Sequence, residues 1–317
     1  MNILITGGAG FIGSHLAQTL LAEGHHILVI DNYQTGSKKN LTAHPNLTIL
    51  EATIADEKIV NKVFNDFKPN KVVHAAASYK DPNNWIEDTM TNILGSINIV
   101  NAAKNHNVQR VIYFQTSLCY GLKPIEQPIT LKHPLYSGQF AGGSSYAISK
   151  TAGEQYIELS GLDFISFRLA NAYGPRNLSG PLPTFYKRLT SGQKCFITDT
   201  RRDFIYVDDL IAVVIKALNN KGSKGYYHIS TGSDFAIKEL YDATIKAINI
   251  PNLPAPEIRQ RGEDDVATIL IDPSKTNKDF DWIAKTPLVD GVQKAIEWYR
   301  QNEVQETFTH LKLDDKK

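Results

Sequence analysis

Cysteine is scarce in this chain of 317 residues, and histidine does not occur in metal-binding pairs. Cys119 and Cys195 are too few for a disulfide framework, and they lack the spacing of a metal site. The nine histidines include no two that stand four positions apart. We therefore expect a fold that is held by its core, without a metal centre.

A strong charge of one sign and a long hydrophobic run are missing as well. The chain has 34 Lys and Arg against 33 Asp and Glu, a formal net charge of +1, so no global field would gather nucleic acid or anionic lipid. No run of 18 apolar residues occurs, and the first apolar run follows no basic leader. We expect neither a membrane span nor a signal peptide, and a reducing cytoplasm as the compartment.

Short apolar runs alternate with helical patterns up to Leu169. They are nearly continuous in apolar character, which is typical of parallel strands that are covered by helices on both faces. The predicted strands are Asn2–Thr6, His26–Ile30, Leu47–Glu51, Lys71–Ala76, Arg110–Thr116 and Asp163–Leu169. Such alternation implies right-handed crossovers, so we predict an α/β fold with a Rossmann-type, doubly wound parallel sheet.

After Arg168 the sequence pattern changes to predicted loops that are rich in glycine and proline, with isolated strand and helix patterns. We predict a large domain over residues 1–170, rejoined by about residues 203–230. The smaller C-terminal lobe, residues 171–202 and 231–317, is expected to bind substrate. The active site should lie in the cleft between them, at the carboxyl ends of the parallel strands.

Three glycines, Gly7, Gly10 and Gly13, follow the first predicted strand and open a helix. Glycine-rich turns are common, so the spacing alone is a weak signal. The context of strand, turn and helix favours a dinucleotide site, in which the pyrophosphate sits at the positive end of the helix. A tight turn without a ligand is the alternative.

Asp31 directly follows the second predicted strand, 18 residues after Gly13. An acid at this place can accept both hydroxyls of an adenosine ribose, and it would repel a 2′-phosphate. No arginine lies nearby in the sequence to compensate. We therefore predict NAD rather than NADP, although an isolated aspartate here would be explained as a turn cap.

Six segments occur together, in order, and resemble the extended short-chain dehydrogenase/reductase superfamily, in its nucleotide-sugar epimerase/dehydratase branch. The similarity covers nearly the whole chain and is nearest to bacterial enzymes that epimerise UDP-linked hexoses and hexuronic acids for surface polysaccharide. It implies an NAD-dependent epimerase that forms a homodimer through the helices containing Asn92 and Tyr146. The segments are ITGGAGFIGSHL, DNYQTGSKKNL, HAAA, YAISK, RLANAYGPR and RRDFIYVDDL.

The resemblance gives Thr116, Tyr146 and Lys150 catalytic roles. Tyr146 and Lys150 stand four positions apart, so they share a face of a helix, which an ordinary helix start explains equally well. In the family the tyrosine is the acid/base on a sugar hydroxyl, the lysine binds the nicotinamide ribose, and Thr116 bridges substrate and tyrosine. The ammonium and the positive nicotinamide should lower the phenol pKa from ~10 toward neutrality.

The two residues after Thr116 indicate the type of reaction. The 4,6-dehydratases of this branch carry Asp-Glu there, and the decarboxylases carry a glutamate in this loop. This chain has Ser117 and Leu118. Because a leucine cannot transfer a proton, we predict epimerisation at C4 through a 4-keto sugar, without elimination.

The resemblance also implies the cofactor contacts. Thr53 stands where the family commonly has an aspartate for the adenine amino group, so adenine should be held more loosely or by backbone alone. Asn92 is explained equally well as a helix-surface residue. The implied cofactor-binding residues are Gly7, Gly10, Phe11, Ile12, Gly13, Asp31, Asn32, Thr35, Gly36, Thr53, Ile54, Ala75, Ala76, Ala77, Asn92, Tyr146 and Lys150.

On the substrate side, Asn171, Arg202 and Arg261 are implied to hold the diphosphate, whose geometry suits a guanidinium fork. Each is otherwise a surface polar residue, and the run RQRGEDD leaves the register of Arg261 open. The implied substrate-binding residues are Thr116, Asn171, Arg202, Arg261, Asp264 and Thr268.

Asp264 would bind a nucleotide ribose hydroxyl, and Thr268, four positions on, would wall the pocket near C2 of the sugar. In related epimerases a tyrosine at that place excludes 2-acetamido groups. The threonine therefore favours a UDP-linked 2-acetamido hexose or hexuronic acid, unless Thr268 faces away on a strand.

Two other functions stay open. A nucleotide-sugar reductase or dehydrogenase would use the same site but release an oxidised product. A non-catalytic, NAD-binding regulatory protein would keep the glycine turn alone, and the presence of Thr116, Tyr146 and Lys150 argues against it.

Overall fold

The computed structural model describes residues 1–137, 144–262, 265–302, 304 and 306–308. The strands in chain order are β1 Asn2–Thr6, β2 His26–Asp31, β3 Leu47–Glu51, β4 Lys71–His74, β5 Arg110–Thr116, β6 Phe164–Leu169, β7 Asn171–Tyr173, β8 Phe196–Thr198, β9 Arg201–Arg202, β10 Phe204–Tyr206, β11 Gly225–Ile229, β12 Phe235–Ala236, β13 Glu257–Arg259 and β14 Thr268–Ile269.

The helices pack mainly around the central sheet. In chain order they are α1 Phe11–Ala22, α2 Glu57–Phe67, α3 Trp85–Asp88, α4 Gly95–Asn105, α5 Ser145–Leu159, α6 Pro181–Thr190, α7 Val207–Leu218, α8 Ile237–Ile248, α9 Ser274–Phe280 and α10 Leu288–Gln301. A π-helical segment, Thr89–Leu94, joins α3 to α4. Short 3-10 turns lie at Lys38–Asn40 and Ser117–Tyr120.

Seven strands form one parallel sheet in the order β11-β6-β5-β4-β1-β2-β3. The chain starts at β1, builds outwards to β3, and then returns to build the other half from β4. This reversal opens a crevice at the carboxyl ends of the central strands, where doubly wound sheets bind ligands. The predicted Rossmann-type fold is confirmed.

Both faces of the sheet are covered, which explains why the strands are apolar throughout. On β1, Leu4 faces one buried cluster and its neighbours Ile3 and Ile5 face the other, and all three are fully buried. Burying one such side chain contributes about 1.5–3 kcal/mol. The core therefore fixes the positions of the strand ends and of the residues that directly follow them.

The residues after β6 split between the sheet and a smaller lobe. β11 joins the sheet beside β6, and α7 packs on α1. The lobe contains two small groups of strands, β12-β9-β14 and β13-β8. Its helix α8 packs against α6 and α10. The residue bounds of two separate domains stay a prediction.

The described part of the chain contains no candidate for a metal site or a membrane span. Among those residues no group of three or more His, Cys, Asp or Glu could hold a metal ion. No helix that the structure describes is long and apolar enough to cross a membrane.

Candidate active site

A cleft of about 950 Å³ opens at the carboxyl ends of the central strands and is closed on its other side by the smaller lobe. Residues from both halves of the chain form its walls. The sequence-predicted residues that line it are Gly7, Gly10, Phe11, Ile12, Gly13, Asp31, Asn32, Thr35, Thr53, Ile54, Ala75, Ala76, Ala77, Thr116, Tyr146, Lys150, Asn171 and Arg202.

The glycine turn leaves no room for side chains. Gly7 has φ +68°, and a β-carbon there would lie 2.7 Å from Cα of Ala76. A β-carbon on Gly13 would lie 2.7 Å from Cα of Gly8. Gly10 is the N-cap of α1 and, among the described residues, no side chain caps it. The first N–H groups of α1 are thus available for an anion at the positive end of the helix.

Asp31 is aimed by backbone donors. Its Oδ2 accepts a hydrogen bond from Ala9 N and its Oδ1 accepts one from Tyr33 N, both at 2.8 Å. Burial raises the pKa of this carboxyl, while these N–H groups and that of Gly10 oppose the rise. Gly36 does not line the cleft, but a β-carbon there would lie 2.9 Å from Oδ1. Any larger residue at this place would therefore press on the carboxylate.

Lys150 lies inside the cleft wall on α5. Its Nζ stands 3.9 Å from the ring centroid of Tyr113, whose hydroxyl donates a hydrogen bond to the carbonyl oxygen of Lys150 at 2.9 Å. Burial lowers the pKa of the lysine to about 7, and the charge of Glu154 opposes this. Near neutral pH the ammonium is therefore easily deprotonated unless a negative group stabilises it.

Tyr146 is half-buried at the start of α5, where Ser144 caps the helix by accepting a hydrogen bond from Ala147 N at 3.0 Å. Its ring meets the edge of Tyr79 with centroids 6.2 Å apart. Burial raises the pKa of Tyr146, and Tyr79 and Asp88 raise it further. Without the nicotinamide the pKa of Tyr146 is therefore raised and not lowered, because burial destabilises the phenolate and both neighbours add to that effect. The lowering by a positive nicotinamide stays a prediction.

Thr116 ends β5 and lines the cleft beside Ser117 and Leu118. Its Oγ1 accepts a hydrogen bond from Leu118 N at 3.2 Å, so its own O–H is available as a donor. Its N–H donates to Oε1 of Gln115 at 2.8 Å. Ser117 and Leu118 line the cleft directly after it. Neither of these two residues carries a carboxylate.

Asn92 is neither a cofactor-contacting residue of the cleft wall nor a helix-surface residue, the two roles that the sequence suggested. It is buried and does not line the cleft. Its Oδ1 accepts from Ser78 N at 2.9 Å, and its Nδ2 donates to Ser78 O at 3.0 Å and to Ser149 Oγ at 2.9 Å. All of its amide groups are used, so Asn92 joins the loop after β4 to α5 instead of facing a ligand.

At the substrate end, Asn171 and Arg202 line the cleft. The guanidinium of Arg202 donates to the carbonyl oxygens of Arg201 and Val266 at 2.8 and 2.7 Å, and it is ion-paired with Asp265. Within the described part of the chain, these three hydrogen bonds leave two of the five N–H donors of this arginine without a partner. Burial lowers the pKa of Arg202, while Asp265 raises it.

Two predicted substrate residues lie elsewhere. Arg261 is exposed and donates to the carbonyl oxygen of Asp265 at 2.7 Å, outside the cleft lining. Thr268 starts β14 and does not line the cleft, whereas its neighbour Ile269 does. Successive side chains of a strand face opposite sides, so the prediction chose the wrong face. Asp264 lies outside the described residues.

Several lining residues were not predicted from the sequence. Tyr79 and Asp88 come from the segment after β4, and Gln115 precedes Thr116. Asp265 and Ile269, each one position after a predicted residue, also line the cleft. The one available signal was the second aspartate of the run RGEDD, which already made the register ambiguous.

Comparison with known proteins agrees with this geometry. Residues 3–230 match the family described as "NAD dependent epimerase/dehydratase family". The crystal structure of the Bordetella bronchiseptica enzyme WbmH in complex with NAD+ is 52% identical, covers 95% of this chain and 98% of that one, and has a TM-score of 0.91. That of WbmG from the same organism, in complex with NAD and UDP, is 43% identical over 98% and 97%, with a TM-score of 0.88.

A curated relative has a similar extent. The putative UDP-glucose 4-epimerase of Methanocaldococcus jannaschii is 29% identical over 95% of this chain and 99% of its own length. The similarity therefore includes the sheet, the smaller lobe and the cleft between them.

Proposed function

The chain belongs to the NAD dependent epimerase/dehydratase family of extended short-chain dehydrogenases/reductases, and on that premise we propose that it is a nucleotide-sugar 4-epimerase. The proposed substrate is a UDP-linked 2-acetamido hexose or hexuronic acid. The observation that carries the proposal is the presence of Thr116, Tyr146 and Lys150 on the walls of one cleft that also contains the glycine turn.

The cofactor of the family is NAD, and the residues of this cleft fit it. The glycine turn offers backbone N–H groups to the pyrophosphate, Asp31 offers two carboxylate oxygens to the adenosine ribose, and Lys150 lies where the nicotinamide ribose is expected. The buried Nε2 of Gln115, which lacks a partner among the described residues, also belongs to a lining residue. Bound NAD supplies the oxidation and reduction of the sugar carbon.

The protein's own residues move the proton. Tyr146, as phenolate, accepts the proton of the C4 hydroxyl through Thr116 and later returns it to the other face of the sugar. Burial opposes this ionisation, so the phenol needs positive charge beside it. The ammonium of Lys150 and the oxidised nicotinamide provide that charge. Between the two proton transfers the 4-keto sugar turns over in the cleft.

The family contains both epimerases and dehydratases, and the residues beside Thr116 distinguish the two types of reaction. Elimination needs an acid beside the reacting carbons. Next to Thr116 this chain has Ser117 and Leu118, both of which line the cleft. Their chemistry supports epimerisation over elimination or decarboxylation.

The walls of the smaller lobe favour a particular class of sugar. Val266 and Ile269 line the cleft there, and neither has the bulk of a tyrosine. This supports room for a 2-acetamido group. The free N–H donors of Arg202 support a diphosphate.

A homodimer is proposed on the outer surface of α3, the π-helical segment and α5. Six apolar side chains are exposed on these elements, and such a surface is usually covered by a partner. They are Trp85, Ile86, Met90, Ile148, Tyr156 and Leu159. Light scattering on the purified protein tests this. A cytoplasmic location and a part in polysaccharide biosynthesis stay predictions from the sequence.

The proposal is tested by incubating the purified protein with a panel of UDP-sugars and following the anomeric and C4 protons by NMR. A 4-epimerase converts one sugar into a mixture of two epimers without net reduction of NAD. Accumulation of reduced cofactor with an oxidised product would favour the dehydrogenase alternative. Tight NAD binding without turnover of any sugar would favour the regulatory one.

A further inference from the structure

A buried polar network lies directly behind the short turn that follows Thr116. Its central residue is Tyr120, the last residue of the 3-10 turn Ser117–Tyr120. The side chains of Tyr120 and of its two partners, Arg168 and His228, are buried, and none of the three lines the cleft. Any effect of this network on the reaction must therefore pass through residues that do line the cleft.

The hydrogen bonds of the Tyr120 hydroxyl have fixed directions. Nη1 of Arg168 donates to it at 2.9 Å, and a guanidinium can only donate. The hydroxyl therefore donates its own proton to Nε2 of His228, which lies 2.6 Å away. Nδ1 of His228 then carries the ring proton and donates to the carbonyl oxygen of Asp272 at 2.9 Å. Burial lowers the pKa of His228 to about 4, so the ring is neutral near pH 7, as this order of donors requires.

The same arginine also reaches the helix that carries Tyr146 and Lys150. Its Nε and Nη2 donate to the two carboxylate oxygens of Glu154 on α5 at 3.2 and 2.8 Å. Glu154 is buried and stands four positions after Lys150, so the two residues share a face of α5. Apolar residues of similar volume often stabilise a core as well as a buried ion pair does, so the geometry that the pair specifies explains it better.

The 3-10 turn connects this network to Thr116. The N–H of Leu118 donates to Oγ1 of Thr116 at 3.2 Å, and the carbonyl oxygen of Leu118 accepts a hydrogen bond from Gly121 N at 3.0 Å. The hydroxyl of Thr116 thus caps a turn of four residues, and the side chain of Tyr120 anchors the other end of that turn in the core.

We propose that Tyr120 is a positioning residue for Thr116, because it anchors the turn that the hydroxyl of Thr116 caps. Arg168 connects this anchor to α5, so one buried network sets the distance between the hydroxyl of Thr116 and the phenol of Tyr146. The proposal rests on the proposed role of Thr116 as the bridge between the substrate and Tyr146. Tyr120 itself contacts no ligand and acts only through Thr116.

The first test is Tyr120→Phe in the NAD-loaded protein, which removes one oxygen atom and keeps the ring. It should lower kcat for the UDP-sugar by about 10–100-fold, because misplacing a catalytic group by about 1 Å has an effect of this size. KM and the dissociation constant of NAD should stay close to those of the wild type, since the change affects a group that acts in the transition state. An unchanged kcat would overturn the proposal.

Tyr227→Phe is the matched control. Tyr227 is also a fully buried tyrosine, and its hydroxyl is hydrogen-bonded to Ser223 and Asp279, away from the cleft lining. The control should lower the melting temperature, as Tyr120→Phe does, but leave kcat unchanged. An equal loss of kcat in both variants would show a general effect of lost stability and would overturn the proposal.

A double-mutant cycle tests whether the effect passes through Thr116. Thr116→Val removes the hydroxyl that Tyr120 is proposed to place, and it should lower kcat by itself. Adding Tyr120→Phe to Thr116→Val should lower kcat by less than about threefold more, because residues that act as one unit are not additive. The same loss from Tyr120→Phe in both backgrounds would overturn the proposal.

Amide hydrogen exchange in the NAD-loaded protein without sugar separates this proposal from the proposed function. Mass spectrometry should show faster exchange of the segment Ser117–Gly121 in Tyr120→Phe than in the wild type or in Tyr227→Phe. His228→Leu removes the acceptor of the Tyr120 proton and should have the same effect, so the test holds even if Tyr120→Phe does not fold. Unchanged exchange of this segment would overturn the proposal, whereas a wild type that turns over no UDP-sugar would contradict the proposed function.

Discussion

The two ends of the cleft differ in how closely sequence and structure agree. At the cofactor end the glycine turn, Asp31, the three alanines after β4, Thr116, Tyr146 and Lys150 all line the cleft as the sequence predicts. At the substrate end Asn171 and Arg202 line it, while Arg261 and Thr268 do not. The difference teaches how strand length determines the position of a functional residue.

The strands of the central sheet are four to seven residues long and pair in one continuous parallel register. A residue that follows such a strand must emerge at the same edge of the sheet as its neighbours. In the smaller lobe, β9 and β14 have two residues each. A strand of two residues shows no alternation of apolar and polar side chains in the sequence. A shift of one residue in the predicted position therefore exchanges the two faces of the strand.

The largest effect expected at the cofactor end comes from Tyr146→Phe. Losing the acid/base group should lower kcat by about 10²–10⁴. NAD affinity and the melting temperature should stay close to those of the wild type, because the ring and its contact with Tyr79 remain. Steady-state kinetics and a cofactor titration check this, and near-normal turnover would remove Tyr146 from the mechanism.

The next prediction compares two arginines of the substrate end. Arg202→Met should raise KM for the UDP-sugar about tenfold or more, because a charged hydrogen bond contributes about 1.5–3 kcal/mol. Arg261→Met is the matched control and should change KM less than about threefold, as expected of an exposed charge. Arg202→Lys, measured alongside, separates lost charge from lost geometry.

The comparison of the two variants shows which arginine binds the diphosphate. A larger effect of Arg261→Met than of Arg202→Met would restore the original prediction and make Arg261 the diphosphate ligand. Because Arg202→Met removes the ion pair between Arg202 and Asp265, the melting temperature is measured for each variant. Only changes in KM that the loss of stability does not explain are assigned to substrate binding.

A smaller effect is expected on β14. Ile269→Tyr should lower kcat/KM for UDP-2-acetamido sugars more than for their 2-hydroxy counterparts, since overpacking costs about 1–3 kcal/mol. Thr268→Tyr, one position away and outside the lining, should leave that ratio unchanged. If Thr268→Tyr alone changed the selectivity, the face assigned to this strand would be wrong.

Much of the cofactor end was predictable because its residues are demanded by backbone geometry. Gly7 and Gly13 have no space for a side chain, and Asp31 ends a strand beside them. Asp88 and Tyr79 were not predictable, since the segment that carries them has no strand or long helix to set its direction. A pKa also cannot be predicted from neighbours in the sequence. The desolvation of Tyr146 depends on side chains that only the fold brings together.

The smallest effect concerns the choice of cofactor. Asp31→Asn keeps the size of the side chain and removes the charge that would repel a 2′-phosphate. The ratio of the dissociation constants for NADP and NAD should fall several-fold, which corresponds to about 1 kcal/mol of binding free energy. Titration of both cofactors against wild type and variant measures it. Equal affinity of the wild type for NAD and NADP would contradict the role given to Asp31.

The central claim, reversible oxidation at C4 inside one closed cleft, is tested most directly with a UDP-sugar that carries deuterium on C4. The epimer formed in ordinary water is analysed by NMR and mass spectrometry. The account predicts inversion at C4 with the deuterium retained on that carbon, because the same hydrogen leaves and returns within the site. Replacement of the deuterium by hydrogen from water, or inversion at another carbon, would contradict it.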